Sequence, residues 1–198
     1  RLAAGLRRVL DATNEEDSPQ LVLENGAGTG DGIGSSIEDL ADILDEAARA
    51  GVPVERLGFC LDTAHLWGAG YGIAEPAELD ALLARLDAAV GGERLSMIHL
   101  NDARTVLGSR QDRHEHLGAG EIGSRGIRHL LLHPRLEKVP IYLETPGMDS
   151  GYDAVNMERV RMLIADEPLP ELPPDAFNTR GARSRSAPPA ADSDETSA

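Results

Sequence analysis

Short apolar runs alternate with amphipathic segments along most of the chain. The runs lie at 21–23, 57–61, 95–100 and 141–143, and each is short enough to form a strand. Around them, apolar positions recur at helical spacing, which predicts helices over 1 to about 12, 37–48, 76–90, around 127–131 and 153–164. Strands that alternate with helices indicate an α/β protein in which right-handed crossovers join parallel strands.

Each apolar run is followed closely by a side chain that can bind a metal. These side chains are Glu24, Asp62, His99 and Glu144, and they are separated by 38, 37 and 45 residues. Each separation corresponds to about one strand-plus-helix unit. In a β/α barrel the C-terminal ends of the strands line one mouth, where the chemistry takes place. The spacing therefore predicts a metal-lined barrel mouth.

A second group of candidate ligands surrounds the third run. Beyond a short loop this run leads to Asp112-Arg113-His114. In an extended backbone, residues two apart project to the same side, so Asp112 and His114 can reach one point while Arg113 faces away. A carboxylate and an imidazole that converge on one point suit a zinc-like metal. His65, three residues after the second strand end, is a further candidate.

Four strand-helix units are half of the eight that a complete β/α barrel contains. We expect residues 1–165 to form either the C-terminal half of a TIM (β/α)8 barrel or a self-associating half-barrel. The start at Arg1 rather than Met favours the first, an N-terminally truncated sequence. From Asp166 onward Pro, Ala, Ser, Asp and Arg dominate, which predicts a disordered tail over 166–198.

The charge balance restricts the possible partners. The net charge is −15, and of 19 basic residues only Lys138 is a lysine. Such acidity argues against a protein that coats nucleic acid and is typical of proteins from salt-loving organisms. The sequence contains no run of about 18 apolar residues, so no membrane span is expected. Cys60 is the single cysteine, so no disulfide forms within the chain. The absence of a disulfide fits the reducing cytoplasm. Cys60 lies in an apolar run and is expected to be a core residue.

Five motifs resemble one known family. LENGAG, GFCLDTAHLWGAGY, IHLNDAR, GSRQDRHEHLG and IYLET stand in an order and at a spacing similar to those of endonuclease IV. That family comprises zinc-dependent apurinic/apyrimidinic endonucleases built on a TIM barrel, and the resemblance covers roughly residues 1–165. It implies double-stranded DNA with abasic sites as the partner, no membrane association, and a complete protein that is monomeric.

The resemblance also implies three zinc ions and seven ligands within this sequence. Glu24 would bridge two of the zinc ions, one of which Asp62, His99 and Glu144 would complete. The third zinc would be held by His65, Asp112 and His114. Two further histidine ligands of the family, and most residues that penetrate the DNA, belong to an N-terminal half that is absent here. Arg104 stands where the family usually has lysine.

The expected reaction is hydrolysis of the phosphodiester 5′ to an abasic site, as in base excision repair, by a zinc-activated water. Glu24 and Glu144 are the candidate catalytic residues, because each could orient the nucleophile as well as bind zinc. Two alternatives stay open. A metal-dependent sugar isomerase or epimerase on a similar barrel would use Glu, Asp, His and Glu at the strand ends but would not require Asp112 and His114. A non-catalytic half-barrel that binds metal is the other alternative.

Several further residues receive structural interpretations. The Gly-rich segment 26–34 lacks the Lys-Ser/Thr of a P-loop and is interpreted as a tight loop at the mouth that lets the DNA backbone approach. Asn101 and Asp102 are expected to orient ligands by hydrogen bonds. The remaining expectations are packing roles for Trp67 and Tyr71, a position beside the ligands or on the surface for His116, and no special role for His129 and His133.

Overall fold

The four predicted strands form one parallel sheet in a computed structural model that describes residues 1–13, 19–30 and 32–178. The strands are β1 (Leu21–Glu24), β2 (Leu57–Asp62), β3 (Leu95–His99) and, after a short hairpin of β4 (Asp102–Ala103) and β5 (His114–Glu115), β6 (Ile141–Tyr142). The sheet order is β1-β2-β3-β6. Each strand thus lies beside its neighbour in the chain apart from the hairpin, as in a β/α barrel wall.

The described helices include the five that were predicted, together with one, Thr63–Ala69, that follows β2 directly and was not predicted. They are α1 (Leu2–Ala12), α2 (Ile37–Arg49), α3 (Thr63–Ala69), α4 (Pro76–Val90), α5 (Gly123–Leu132) and α6 (Tyr152–Ala165). The Ser36 hydroxyl caps α2 by accepting the Asp39 amide, and the Asp39 carboxylate accepts the Ser36 amide, so both hydrogen bonds of a capping box are present. The predicted fold class, four strand-helix units of a TIM barrel, is confirmed. Within the described ranges, no helix combines the length and hydrophobicity that a bilayer crossing requires.

The register of the sheet brings the ends of β2, β3 and β6 to one level and sets the end of β1 two residues lower. Asp62 of β2 pairs with His99 of β3, and His99 pairs with Tyr142 of β6. Glu24 of β1 pairs with Cys60, two residues before Asp62. Because residues two apart on a strand face the same side, Glu24, Cys60 and Asp62 lie on one face of the sheet.

The main core lies between the sheet and the helices. Its largest fully buried side chains include Phe59, Leu40, Leu82 and Leu86, from β2, α2 and α4. A smaller cluster around Leu6 and Leu10 packs α1 against α2 and β2. Within the described residues β1 and β6 form the edges of the sheet, and on β6 Ile141 and Tyr142 are exposed. The helices therefore cover one side of the sheet, and edge β6 presents apolar side chains to solvent.

The C-terminal segment departs in part from the sequence-based prediction. Residues 174–178 form a 3-10 helix in which Ala176 is fully buried, although disorder was predicted from residue 166. The segment is ordered because buried side chains bond to its carbonyl groups: Arg159 donates to Pro170, and His116 contacts Ala176. Residues 166–178 are therefore ordered, contrary to the disorder predicted for them, while the domain boundary at 165 stays a prediction. Residues 179–198, the rest of the predicted tail, lie outside the described residues.

Candidate metal centre

The four strand-end side chains meet at the C-terminal edge of the sheet. The ligand atoms of Glu24, Asp62, His99 and Glu144 all lie within 4.8 Å of one another. Nδ1 of His99 lies 3.3 Å from Oε1 of Glu24 and 3.2 Å from Oε2 of Glu144. The imidazole therefore lies between two carboxylates that come from different strands, which is a donor set suited to zinc.

A second group shares Asp62 with the first. Ligand atoms of Asp62, His65 and His114 also lie within 4.8 Å of one another. Oδ1 of Asp112 lies 3.3 Å from Nε2 of His65 and 3.2 Å from Nε2 of His114. Asp62 is fully buried and belongs to both groups, so it lies on their protein side. The Asp112 side chain is 57% exposed and lies on the solvent side of the second group.

The histidine tautomers of the second group leave lone pairs that face one point. Nδ1 of His114 lies 2.9 Å from the carbonyl oxygen of Glu144, so Nδ1 carries the proton. Nε2 of His114 is buried and has no hydrogen-bond partner among the described residues. Nδ1 of His65 likewise faces two acceptors, the carbonyl oxygen of Asn25 at 2.9 Å and Oε1 of Glu24 at 3.2 Å. Metal-binding histidines typically donate their other N–H in this way, so these side chains fit a zinc ion.

Two asparagines fix Asp62, the shared ligand. Oδ1 of Asp62 accepts the amide of His65 at 2.8 Å and so caps α3, while Oδ2 accepts the Asn101 side-chain amide at 2.6 Å. Oδ1 of Asn101 in turn accepts the amide of Glu144 at 2.9 Å. From the other side, Oδ1 of Asn25 accepts the amide of Asp62 at 2.7 Å. Buried Asn25 and Asn101 thus join the ends of all four neighbouring strands, β1, β2, β3 and β6.

The loop before β5 places Asp112 and His114. Its backbone amides at Gly108 and Arg110 donate to the carbonyl groups of Trp67 and Gly68, which anchors the loop on α3. At Gly68 a Cβ would lie 3.0 Å from the carbonyl oxygen of Gln111, so this close approach requires glycine. The pairing of His114 with Ala103 in the hairpin then aligns the imidazole with the strand ends.

The charges of the cluster perturb its titration. A hydrogen bond from His65 lowers the pKa of Glu24, and the charge of His99 lowers it further against the opposing effect of burial. Burial lowers the pKa of His65, but the hydrogen bond to Glu24 and the charges of Asp62 and Asp112 outweigh it and raise the pKa to about 9. Without metal, a protonated His65 therefore offsets part of the negative charge of the carboxylates, as a metal cation would.

Comparison with known proteins shows the family of the chain. The family described as xylose isomerase-like TIM barrel matches residues 1–166. The chain belongs to this family. Among members of known name, a probable endonuclease 4 of Methanoculleus marisnigri is 39% identical over 163 residues, 82% of this chain and 56% of the relative.

Two further comparisons give the same result. A probable endonuclease 4 of Oleidesulfovibrio alaskensis is 44% identical over 164 residues, 81% of this chain and 54% of the relative. The crystal structure of endonuclease IV from Thermus thermophilus matches with a TM-score of 0.69 and 37% identity, covering 83% of this chain and 56% of that one. The predicted resemblance to endonuclease IV is confirmed, and the chain spans little more than half the length of these proteins.

Some neighbouring predictions agree with the geometry and others do not. Trp67 is buried and donates to the carbonyl oxygen of Thr105, so its role is packing, as expected. Asn101 bonds to a candidate ligand, also as expected. The prediction that Asp102 orients ligands is wrong, because its carboxylate faces away from the mouth and accepts backbone amides of Ala103 and of four residues between 118 and 123. Consecutive residues of an extended strand face opposite sides, which separates Asn101 from Asp102.

His116 also differs from its prediction. Its side chain is fully buried, neither exposed nor beside the ligands, and contacts Asn156 of α6 and the carbonyl oxygen of Ala176. Arg104, at the position where the resembled family usually has lysine, forms an ion pair with buried Glu115 at 3.0 Å. Sequence reasoning missed the role of Asn25; its position directly after Glu24 at a strand end was the available signal.

Proposed function

We propose that this chain forms the zinc-binding part of the barrel mouth in an endonuclease that hydrolyses the phosphodiester 5′ to abasic sites in duplex DNA. The observation that carries the proposal is the pair of ligand groups that share buried Asp62. A cluster of adjacent metal sites suits phosphodiester hydrolysis, because both the attacking and the leaving oxygen require charge stabilisation. The relatives named probable endonuclease 4 support the same assignment.

The two ligand groups have separate tasks in this proposal. His65, Asp112 and His114 would hold one zinc ion, and Glu24, Asp62, His99 and Glu144 would contribute to two more, for three in a complete site. Bound zinc would supply a water of lowered pKa and would stabilise negative charge on the phosphate and the leaving oxygen. The family's remaining histidine ligands would come from outside the residues matched here.

The side chains of the mouth would orient the reactants. Glu24 has a lowered pKa and so remains a carboxylate that can accept a hydrogen bond from the attacking water at an Oε atom. The Glu144 side chain is 48% exposed and offers its carboxylate to water at the solvent side of the cluster. The glycine-rich loop at 26–34 follows β1 at the mouth, where it would leave room for the DNA backbone. Abasic nucleotides would be selected because a baseless sugar costs less to extrude.

The isomerase alternative is less well supported. An isomerase would require the strand-end carboxylates and His99 but not the group around Asp112 and His114. Nε2 of His114 is buried without a hydrogen-bond partner among the described residues, and a metal in the second group would satisfy its lone pair. We propose cytoplasmic action, in keeping with Cys60, a buried unpaired thiol.

A chimaera tests the proposed function. Residues 1–166 would replace the matched part of the Methanoculleus marisnigri relative, and incision would be measured on a duplex with one tetrahydrofuran abasic analogue. We expect zinc-dependent cutting on the 5′ side of the analogue, and loss of cutting in the same chimaera with Asp62→Asn. A folded chimaera that binds zinc but leaves the duplex intact contradicts the proposal. Conversion of a ketose to an aldose by that chimaera would favour the isomerase.

A further inference from the structure

A second cluster of metal-binding side chains lies on the outer helical layer, away from the mouth. Ligand atoms of Asp80 on α4, His129 on α5 and His133 just beyond α5 lie within 4.8 Å of one another. Nε2 of His133 lies 2.9 Å from Oδ1 of Asp80. The structure thus brings together two histidines for which the sequence predicted no special role.

The helix geometry explains why the histidine rings meet. Residues four apart on a helix project from the same face, and His133 is the C-terminal cap residue of α5. The two rings lie 5.7 Å apart between centroids, at an interplanar angle of 89°. Asp80 approaches from the neighbouring helix, so the three donors come from two separate elements. Two imidazoles four residues apart and one carboxylate are a donor set that zinc accepts.

The environment of His129 points to a missing ligand partner. Nε2 of His129 is buried and has no hydrogen-bond partner among the described residues. Such an atom loses its hydration without compensation, which destabilises the metal-free state. The Asp80 side chain is 66% exposed, so an ion can reach the cluster from solvent. A chain of net charge −15 also attracts divalent cations.

His133 sets a limit on the affinity. Its Nδ1 accepts the amide of Arg135 at 3.2 Å, so in the metal-free state its proton lies on Nε2, toward Asp80. Binding through Nε2 moves that proton to Nδ1, which then no longer accepts the amide of Arg135. The loss of this capping bond opposes metal binding.

We propose that Asp80, His129 and His133 form a zinc-class divalent metal site that joins α4 to α5 and is independent of the mouth. The ion would take one ligand atom from each side chain and complete its coordination with water. By linking two helices in the folded state only, bound zinc would raise the stability of the chain. This site requires no residue of the proposed catalytic cluster.

The test uses zinc itself with the full 198-residue chain. The variants are His129→Asn with His133→Asn, His114→Ala at the mouth, and all three changes together. Zinc per chain is measured after dialysis against micromolar free zinc, together with the zinc-induced rise of the unfolding midpoint. We expect the outer pair of changes to remove one zinc in both the wild-type and the His114→Ala background, and to reduce the rise of the midpoint.

A single substitution at the exposed Asp80 tests the same site in case the double variant misfolds. Asp80→Asn should weaken the same zinc about tenfold, as losses around metal sites typically do. Asp45→Asn at an exposed position of α2 removes the same charge from a helix that carries none of the three ligands and should leave zinc binding unchanged. Equal zinc content and equal midpoint shifts in wild type, Asp80→Asn and the double variant would overturn the proposal.

Discussion

Asn101 donates its side-chain amide to Oδ2 of Asp62 at 2.6 Å, while its Oδ1 accepts the backbone amide of Glu144 at 2.9 Å. One buried side chain thus connects the carboxylate shared by both ligand groups to the backbone of the ligand beyond β6. Its own backbone is fixed by Thr63, whose hydroxyl accepts the Asn101 amide and donates to the Asn101 carbonyl oxygen.

Asn101→Ala should therefore weaken zinc binding at the mouth. Without its amide, Oδ2 of Asp62 loses a hydrogen bond and the amide of Glu144 loses its acceptor. We expect zinc affinity to fall about tenfold or more, because hydrogen bonds to ligands orient them. Isothermal titration with zinc measures the change, and Asn178→Ala in the C-terminal segment is the matched control. Unchanged affinity in a folded Asn101→Ala protein would show that Asp62 needs no such support.

Asp112→Asn and His114→Ala should each remove about one zinc from the protein, because both belong to the second ligand group. The matched control is Arg113→Ala, which lies between them, is exposed, and donates to the backbone carbonyl oxygen of Asp112 rather than to its carboxylate. Elemental analysis of dialysed protein gives the zinc content of each variant. If Arg113→Ala lost as much zinc as His114→Ala, the placement of the second group would be wrong.

Asp102→Asn should destabilise the chain without changing its zinc content. The carboxylate accepts amides from Ala103, Gly118, Gly120, Ile122 and Gly123, and a neutral amide has only one oxygen for them. We expect the free energy of unfolding to fall by about 3 kcal/mol, because charge-assisted hydrogen bonds to buried amides are lost. Urea denaturation followed by circular dichroism measures the loss. A decrease in zinc together with stability would instead make Asp102 part of the metal centre.

The isolated chain should not incise abasic DNA. Among the described residues the sheet ends at β1 and β6, whose unpaired edges and exposed Tyr142 are unfavourable in water. Of the two zinc ions that Glu24 would bridge, one would have Glu24 as its only ligand in this chain. We expect no cutting by residues 1–198 and recovery when the N-terminal half of a relative is added as a separate chain. Efficient zinc-dependent cutting by the chain alone would refute this prediction.

Salt should stabilise the protein. With a net charge of −15, mutual repulsion opposes folding, and added ions screen it over about 10 Å at 0.1 M salt and about 3 Å at 1 M. We expect the thermal unfolding midpoint to rise steadily as KCl increases toward molar concentration. Differential scanning calorimetry in KCl, compared with equal osmolality of sucrose, separates screening from solute exclusion. A midpoint that falls with KCl contradicts the halophile hypothesis and leaves the enzyme assignment unaffected.

The strand ends could be predicted because their evidence is local and repeated. Leu21 to Leu23 and Leu57 to Leu61 are continuous apolar runs, and the polar residue after each marks the mouth. The Asp112 and His114 pair followed from the two-residue period of an extended backbone. These features depend on a few neighbouring residues, which a sequence displays directly.

The roles of His116 and Asp102 could not be predicted, because long-range packing decides them. His116 is buried by Asn156 and by Ala176, 60 residues away in a segment whose composition is typical of disorder. Asp102 depends on the turn at 118–123, which no periodicity marks. Because side chains alternate along an extended strand, only one of Asn101 and Asp102 can face the mouth. The packing of the strand in the fold decides which of the two it is.

The two carboxylate oxygens of Asp62 have different roles, one in helix capping and the other at the ligand cluster. Oδ1 begins α3 by accepting the His65 amide, and Oδ2 faces Asn101 and the ligand cluster. Serine could begin the helix but is a poor zinc ligand, whereas glutamate could bind zinc but is not among the favoured cap residues. Few amino acids other than aspartate satisfy both demands. Substitution at position 62 is thus constrained twice. The helix that carries His65 requires a capping side chain, and the proposed zinc ion requires a ligand.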